Sequence, residues 1–368
     1  MRSYAESQPA PGGRFLLVMF PYLAVSVVAY WGATVSALSR RPSVFGPLLL
    51  ALFAIYLCFF VGLRFEVGKD WLQYNYIYDS ISQMSFPQAI KFTDWGYAAL
   101  NWLSFQLGLG SSGVFFVCAM ILVVGIVMFA VQTPYPWMAV AVTMPHVVTV
   151  MAMDHVRQAT ALGFILIGLS FLSKSKVEAF MISVVAGALF HRTGIIVFGF
   201  GLVLVSKNKW LLYPAFMAIA AVLFQYMLAD RLDVYASRYL EGEAGSRGAL
   251  IRLVQNAAPA AAFLMLGNRI ELPDKFRKIM TIMAWAAIVT VLVMPVSPST
   301  VVIDRIGKYF LPVQILFFPM LIARFHGALI RALIAGLVVF YLLAQQVYWL
   351  SNSQLAEEFW LPYQMVPI

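Results

Sequence analysis

Charge is what this chain has least of. Of its 368 residues, 11% are Asp, Glu, Lys or Arg, where a soluble domain carries roughly a quarter. Water therefore cannot be its main solvent. Cysteine is also scarce: Cys58 and Cys118 both lie inside apolar runs, with no CxxC or other ligand spacing. They read as buried hydrophobes, reporting neither disulfide nor metal. The first apolar run, residues 15–38, does not read as a cleavable signal peptide, because it is too long for an h-region and no small-residue cleavage site clearly ends it. That run is expected to stay as a helix.

What is present is apolar surface, 62% of the residues. A bilayer span needs about 20 apolar residues. Uncharged runs cover residues 15–38, 42–63, 158–173, 179–190, 193–206, 210–229, 253–268, 279–303, 309–323 and 332–356, and a stretch over 95–153 has room for two or three spans. That stretch breaks at Gly108-Leu109-Gly110-Ser111-Ser112-Gly113 and at Thr133-Pro134-Tyr135-Pro136, both turn compositions. The expectation is an all-α, polytopic transmembrane bundle of about 10–12 membrane helices, forming a single integral domain over residues 1–368.

Basic residues in short loops give the orientation, because cytoplasmic loops are enriched in Lys and Arg. Arg40-Arg41, Lys174-Ser175-Lys176, Lys207-Asn208-Lys209, residues 269–278 and residues 324–331 are the inner candidates. Placing all five inside puts residues 64–94 and 230–252 in outer loops. It makes the short segment 95–107 dip without crossing, and turns 179–190 and 193–206 into a re-entrant hairpin with His191-Arg192 at its tip. The inner loops then hold six lysines, six arginines and three acids (Glu178, Glu271, Asp274), the whole net charge of +9, while the remaining 13 basic and 13 acidic residues balance. This is ordinary positive-inside behaviour and implies a lipid bilayer, not nucleic acid, as the chain's partner.

The outer side is arginine-rich instead: Arg64, Arg157, Arg192, Arg231, Arg238, Arg247, Arg252 and Arg305 stand against Lys69, Lys91 and Lys308. Arginine is suited to fixed, bidentate contact with phosphate or carboxylate. Arg157, Arg252 and Arg305 are expected at the N-terminal ends of inward-running helices, where the macrodipole disfavours a cation unless an anion joins it. The competing reading is local ion pairing, Asp154 with Arg157 and Asp304 with Lys308, at i,i+3 and i,i+4. After Arg64, helical spacing puts Asp70, Tyr74, Ile77 and Tyr78 on one face. That describes an amphipathic surface helix, in the headgroup region or under a sugar; otherwise Asp70 simply caps it. His191 and Arg192 interrupt an otherwise apolar hairpin, and ionisable groups at membrane depth suggest function. His146 has a weaker version of the same claim, and His326 reads as a loop residue.

Four motifs in order, R-x-x-x-G-x-D-x-x-x-Y (Arg64, Gly68, Asp70, Tyr74), H-x-R-Q-x-x-A (His155, Arg157, Gln158, Ala161), L-F-H-R-T-G-I (residues 189–195) and D-R-x-x-K-Y-F (Asp304, Arg305, Lys308, Tyr309, Phe310), resemble the EpsG-like family. These are bacterial exopolysaccharide and O-antigen polymerases grouped with Wzy. After the histidine the family usually has Ser-Ala where this chain has Arg192-Thr193-Gly194, so the resemblance assigns Arg192 no role. The resemblance implies a membrane glycosyltransferase, GT-C-like in architecture, in the bacterial inner membrane. It would join undecaprenyl-diphosphate-linked oligosaccharides on the periplasmic face without metal or other cofactor, with a chain-length regulator as a possible partner.

Both donor and acceptor would then be lipid-linked. The acceptor's sugar hydroxyl attacks the donor's anomeric carbon, and undecaprenyl diphosphate leaves. Guanidinium groups can stabilise that leaving charge; Arg157, Arg247 and Arg305 are the choices. His191, Asp70 and His155 are the candidate proton acceptors, His191 first. The substrate-binding set is completed by Arg64, Tyr74, Tyr78, Arg192 and Tyr309. No D-x-D occurs on the outer side, which argues against a metal-held nucleotide-sugar donor. An O-antigen ligase and a lipid-linked glycan flippase remain as alternatives, although no internal repeat of the kind transporters show is visible.

Overall fold

The computed structural model describes residues 12–39, 46–205, 214, 248–266, 271–297 and 299–366. Every regular element among them is helical, and the β-type contact found there is an isolated bridge from Arg64 to Met365. In chain order the helices are α1 (Gly12–Leu38), α2 (Gly46–Gly62), α3 (Trp71–Ser82), α4 (Phe86–Phe92), α5 (Trp95–Gln106), α6 (Gly110–Ala130), α7 (Pro136–Thr143), α8 (Ala152–Asp154), α9 (Val156–Leu172), α10 (Val177–Phe190) and α11 (Ile195–Val205). They continue with α12 (Ala249–Leu266), α13 (Asp274–Val293), α14 (Thr300–Gly307), α15 (Pro312–Ala323), α16 (Ala328–Asn352) and α17 (Gln354–Phe359). A π-helical stretch, Met144–Met151, joins α7 to α8.

Among the described residues, six helices are long and apolar enough to cross a membrane, α14 and α15 form a bent pair at 43° that makes a seventh, and four more apolar helices are shorter. The chain is thus a polytopic helical membrane protein, with part of the expected helix count met by short and broken segments. The run 210–229 lies outside the described residues apart from Pro214. At 12 residues, α5 spans about 18 Å and is too short to cross.

Helix α9 organises the bundle. Gly163 faces Gly125 of α6 so closely that a Cβ on Gly163 would stand 2.7 Å from the Leu122 Cα; small residues let two apolar helices meet along their backbones where hydrophobic force between them is absent. On its other side α9 packs against α10, which returns antiparallel after the turn at Ser173–Lys176. Gly201 of α11 lies against Met181 of α10, and the two positions are equally spaced about His191, as a hairpin with its tip there requires. Arg157 at the start of α9 and His191 at the end of α10 are therefore brought to one end of the bundle.

Lys174 and Lys176 stand at the opposite end. Arg331, at the start of α16, donates to the Ala37 carbonyl at 3.1 Å. Lys278, at the start of α13, donates to the Val203 carbonyl at 3.2 Å. The far ends of α13 and α16 lead to the site end, α13 towards α14 and α16 to Trp360, whose Nε1 donates to the Thr149 carbonyl at 2.7 Å. The described basic residues of the expected inner loops thus gather at the end away from His191. Arg40, Arg41, Lys207, Lys209 and Arg269 lie outside the described residues.

The amphipathic segment needs a correction. Its Tyr74–Ile77 face does not lie open to headgroups or sugar: Tyr74 and Ile77 are buried, with Tyr97 and Phe115 edge-on to Tyr74 at 5.8 and 6.1 Å. Leu72, Gln73, Tyr76 and Asp79 are exposed instead. The aromatic face found its partner within the chain, in the 95–115 segment, a tertiary contact that helical periodicity cannot show. Nor does Asp70 cap α3 with its side chain.

Candidate functional site

The site is centred on a residue that sequence reading left as a loop boundary, Asp94. It precedes α5, where an aspartate would ordinarily cap the helix, but its carboxylate makes no cap bond. It turns instead toward α9 and the hairpin tip, because the first turn of α5 is pressed against α10: a Cβ on Gly96 would meet Leu189 and Phe190. Arg157 Nη1 donates to Asp94 Oδ2 at 2.9 Å and to Thr93 Oγ1 at 2.9 Å. Arg192 Nε lies 3.1 Å from Asp94 Oδ1, and His191 Nδ1 lies 3.7 Å from Oδ2.

Two guanidinium groups and an imidazole thus converge on one carboxylate whose side chain is 4% exposed, while Arg157 and Arg192 keep 24% and 37% of their own surface open. Burial works against ionisation of Asp94, but the contact with His191 and the charges around it outweigh that cost and hold its carboxyl below the usual carboxylate range. Both arginines thus reach the buried carboxylate from half-open positions.

The hairpin tip is fixed from behind. His191 is extended at φ −152° and ψ 107°, and residues Arg192–Gly194 make one 3₁₀ turn before α11. The Thr193 and Tyr309 hydroxyls are 3.0 Å apart, and Gln158 Nε2 donates to the Arg305 carbonyl. Tyr309, fully buried, is therefore an anchor for the tip and not a surface for sugar.

Arg305 departs from expectation in a different way. It stands in the last turn of α14, not at a helix start. Ser299 caps α14 ahead of the charged residues, through a bond from the Val302 amide, and the chain bends before Pro312, so the segment expected to start near Tyr309 is a broken one, with α14 beginning at Thr300 and α15 at Pro312. Among the described residues no carboxylate lies within ion-pair distance of Arg305. Arg252 is in the first turn of α12 and pairs with Asp304 at 2.9 Å, and Lys308 joins the same carboxylate at 3.4 Å. The i,i+4 pair is present, whereas Arg157 reaches Asp94 and not Asp154.

The remaining candidates sit beside this cluster. Arg64 is buried, its Nε donating to the Val67 and Met153 carbonyls and its Nη1 to the Val61 carbonyl, which holds the chain where α2 ends and keeps the guanidinium off any open surface. Tyr74, buried against aromatic neighbours, has its phenol pushed up to about 12, by burial first and against the charge of Arg157. Tyr78 is half-buried beside Phe105 at 6.5 Å. His155, at the break between α8 and α9, has Nδ1 3.4 Å from Asp154 Oδ2, out of line for a hydrogen bond. The Asp70 carboxyl is raised by burial, with Arg305, Lys69, Arg157 and Lys308 opposing. Arg247, with Arg231 and Arg238, lies outside the described residues. Beyond Asp94, sequence reading passed over Thr93; the signal available was a polar Thr-Asp pair directly before an apolar run, which reads equally well as a cap.

Neither the curated proteins nor the solved structures contain a match to this chain. The EpsG family model, however, matches residues 48–365, a span that takes in α2 to α17 and every residue of the cluster around Asp94. The chain belongs to the EpsG family, and is a membrane protein of the polysaccharide-polymerase type.

Proposed function

We propose that this protein joins oligosaccharide repeat units carried on undecaprenyl diphosphate, at the periplasmic face of a bacterial inner membrane, with the basic end of the bundle in the cytoplasm. The observation that carries the reading is the convergence of Arg157, at the start of α9, and of His191 and Arg192, at the hairpin tip, on Asp94. Two half-open guanidinium groups side by side suit an anionic headgroup.

The acceptor hydroxyl oxygen forms a bond to the donor's anomeric carbon, the bond from that carbon to the diphosphate oxygen breaks, and the diphosphate departs with the electron pair. Arg157, Arg192 and the unpaired Arg305 stabilise the charge that grows on it. His191 takes the hydroxyl proton: with Nδ1 turned to Asp94, Nε2 is left for the acceptor, and Asp94 fixes the ring and favours the imidazolium that forms.

Purified protein in liposomes, given a lipid-linked repeat unit and no nucleotide sugar, is expected to build a ladder of products one repeat apart. In sidedness-controlled membrane vesicles a short-chain, water-soluble version of the substrate should be extended in right-side-out vesicles and not in inverted ones. A flippase makes no glycosidic bond, and a ligase needs a different acceptor, so absence of a ladder with a competent substrate would overturn the reading. Extension in inverted vesicles alone would reverse the orientation.

A further inference from the structure

Asp154 belongs to no part of the cluster around Asp94, yet two of the three candidate proton acceptors meet on it. Its Oδ1 accepts the Asp70 amide N–H at 3.0 Å, and its Oδ2 lies 3.4 Å from His155 Nδ1, a buried nitrogen with no hydrogen-bond partner. Asp154 itself is buried, at the one-residue break between α8 and α9, three residues before Arg157. The loop it holds docks on the same break by two further contacts: Arg64 Nε donates to the Met153 carbonyl at 3.1 Å, and Gly68, at φ +100°, packs on that carbonyl with no room for a Cβ.

A salt bridge does not explain this carboxylate, since Arg157, its neighbour one helical turn on, is taken by Asp94. What Asp154 does is fix the distance between the loop 64–70 and the start of α9. Asp70 leads into α3, whose Tyr74 ring meets Tyr97 edge-on at 5.8 Å, and Arg157 lies over the Tyr97 ring at 5.9 Å, so the loop stands beside the Asp94 cluster as a wall of the site.

Building on the polymerase reading, we infer that Asp154 is a positioning residue for the acceptor: through the Asp70 amide it sets the wall against which the attacking sugar lies, while the Asp94 cluster holds the donor's diphosphate. A hydroxyl that must meet an anomeric carbon loses rate steeply when its approach slackens by an ångström. The amide is a backbone group that Asp70→Ala keeps, so what Asp154 delivers is the position of the Asp70 carboxyl; once that carboxyl is removed, losing Asp154 adds nothing further, and the two losses do not multiply.

The test is a double-mutant cycle on the full chain in liposomes, with ladder formation from a lipid-linked repeat unit and separate binding of undecaprenyl diphosphate as readouts. Asp154→Ala is expected to slow extension by about 10- to 100-fold while the lipid diphosphate still binds. Asp154→Asn, which keeps an oxygen to accept the Asp70 amide, should recover most of that loss. The double variant Asp154→Ala with Asp70→Ala should be no slower than Asp70→Ala alone. Multiplied losses in the double variant, an Asn variant as slow as the Ala one, or loss of diphosphate binding would each overturn the assignment. Should Asp154→Ala fail to accumulate, Gly68→Ala perturbs the same contact from the loop side, and normal extension in that variant would equally overturn it. A wild-type protein that makes no ladder would sink the polymerase reading itself, a result distinct from any of these.

Discussion

Chain growth stops in His191→Ala, while the lipid-linked donor still binds. The expectation rests on geometry at the hairpin tip. His191 ends α10 in an extended conformation, its ring is 14% exposed, and its Nδ1 lies 3.7 Å from a carboxylate that two arginines already occupy. An imidazole is a costly thing to place there for packing alone. If Nε2 accepts the acceptor's proton, its removal takes away a term worth about 10²–10⁴-fold in rate. The rival account is that His191 only fills the tip and bonds a neighbour. His191→Gln separates the two, because glutamine keeps a hydrogen bond but cannot take up a proton. A Gln variant that extends chains at near the wild-type rate would remove His191 from the chemistry and move the search for a base to Asp70 and His155.

Arg157→Lys is expected to lose activity by about 10²–10³-fold, the usual cost of removing one preorganised donor from a developing anion. The protein should still accumulate in the membrane, because a lysine retains the charge opposite Asp94. What it loses is the planar fork: Arg157 uses Nη1 alone for both Thr93 and Asp94, which leaves its other nitrogens directed elsewhere, and a lysine ammonium has no second arm to offer. Assaying extension against donor binding decides the matter. Retention of both would reduce Arg157 to an ion pair that ties α9 to α5; loss of extension with weakened lipid-diphosphate binding is the outcome expected.

The hairpin, the burial of Cys118 and the segregation of the described basic loops were legible from apolar periodicity and the lysine-arginine census, because the bilayer imposes length and charge rules that act locally along the chain; Cys58, read as buried too, is only half-buried. Arg157 and His191 were legible as ionisable residues in expensive places. Asp94 was not. An aspartate at the head of an apolar run has an adequate local explanation in helix capping, and the contact that claims it comes from residues 63 and more positions away in sequence. The same limit misplaced the aromatic face of α3 and the start of α14: amphipathic spacing says which residues share a face, but not whether that face meets lipid, sugar or another helix. Arg64 shows the converse, a residue conspicuous in the sequence that is buried with its Nε and Nη1 on backbone carbonyls at a chain crossing.

The central claim is that a lipid diphosphate is held by the arginines around Asp94. Cryo-electron microscopy of the protein with undecaprenyl diphosphate bound tests it most directly. The account predicts headgroup density within hydrogen-bond distance of Arg157 and Arg305, beside His191, with the polyprenyl chain leading away into the bilayer. Headgroup density at the opposite end of the bundle, beside Arg277 and Glu271, or a headgroup that touches neither Arg157 nor Arg305, would contradict it.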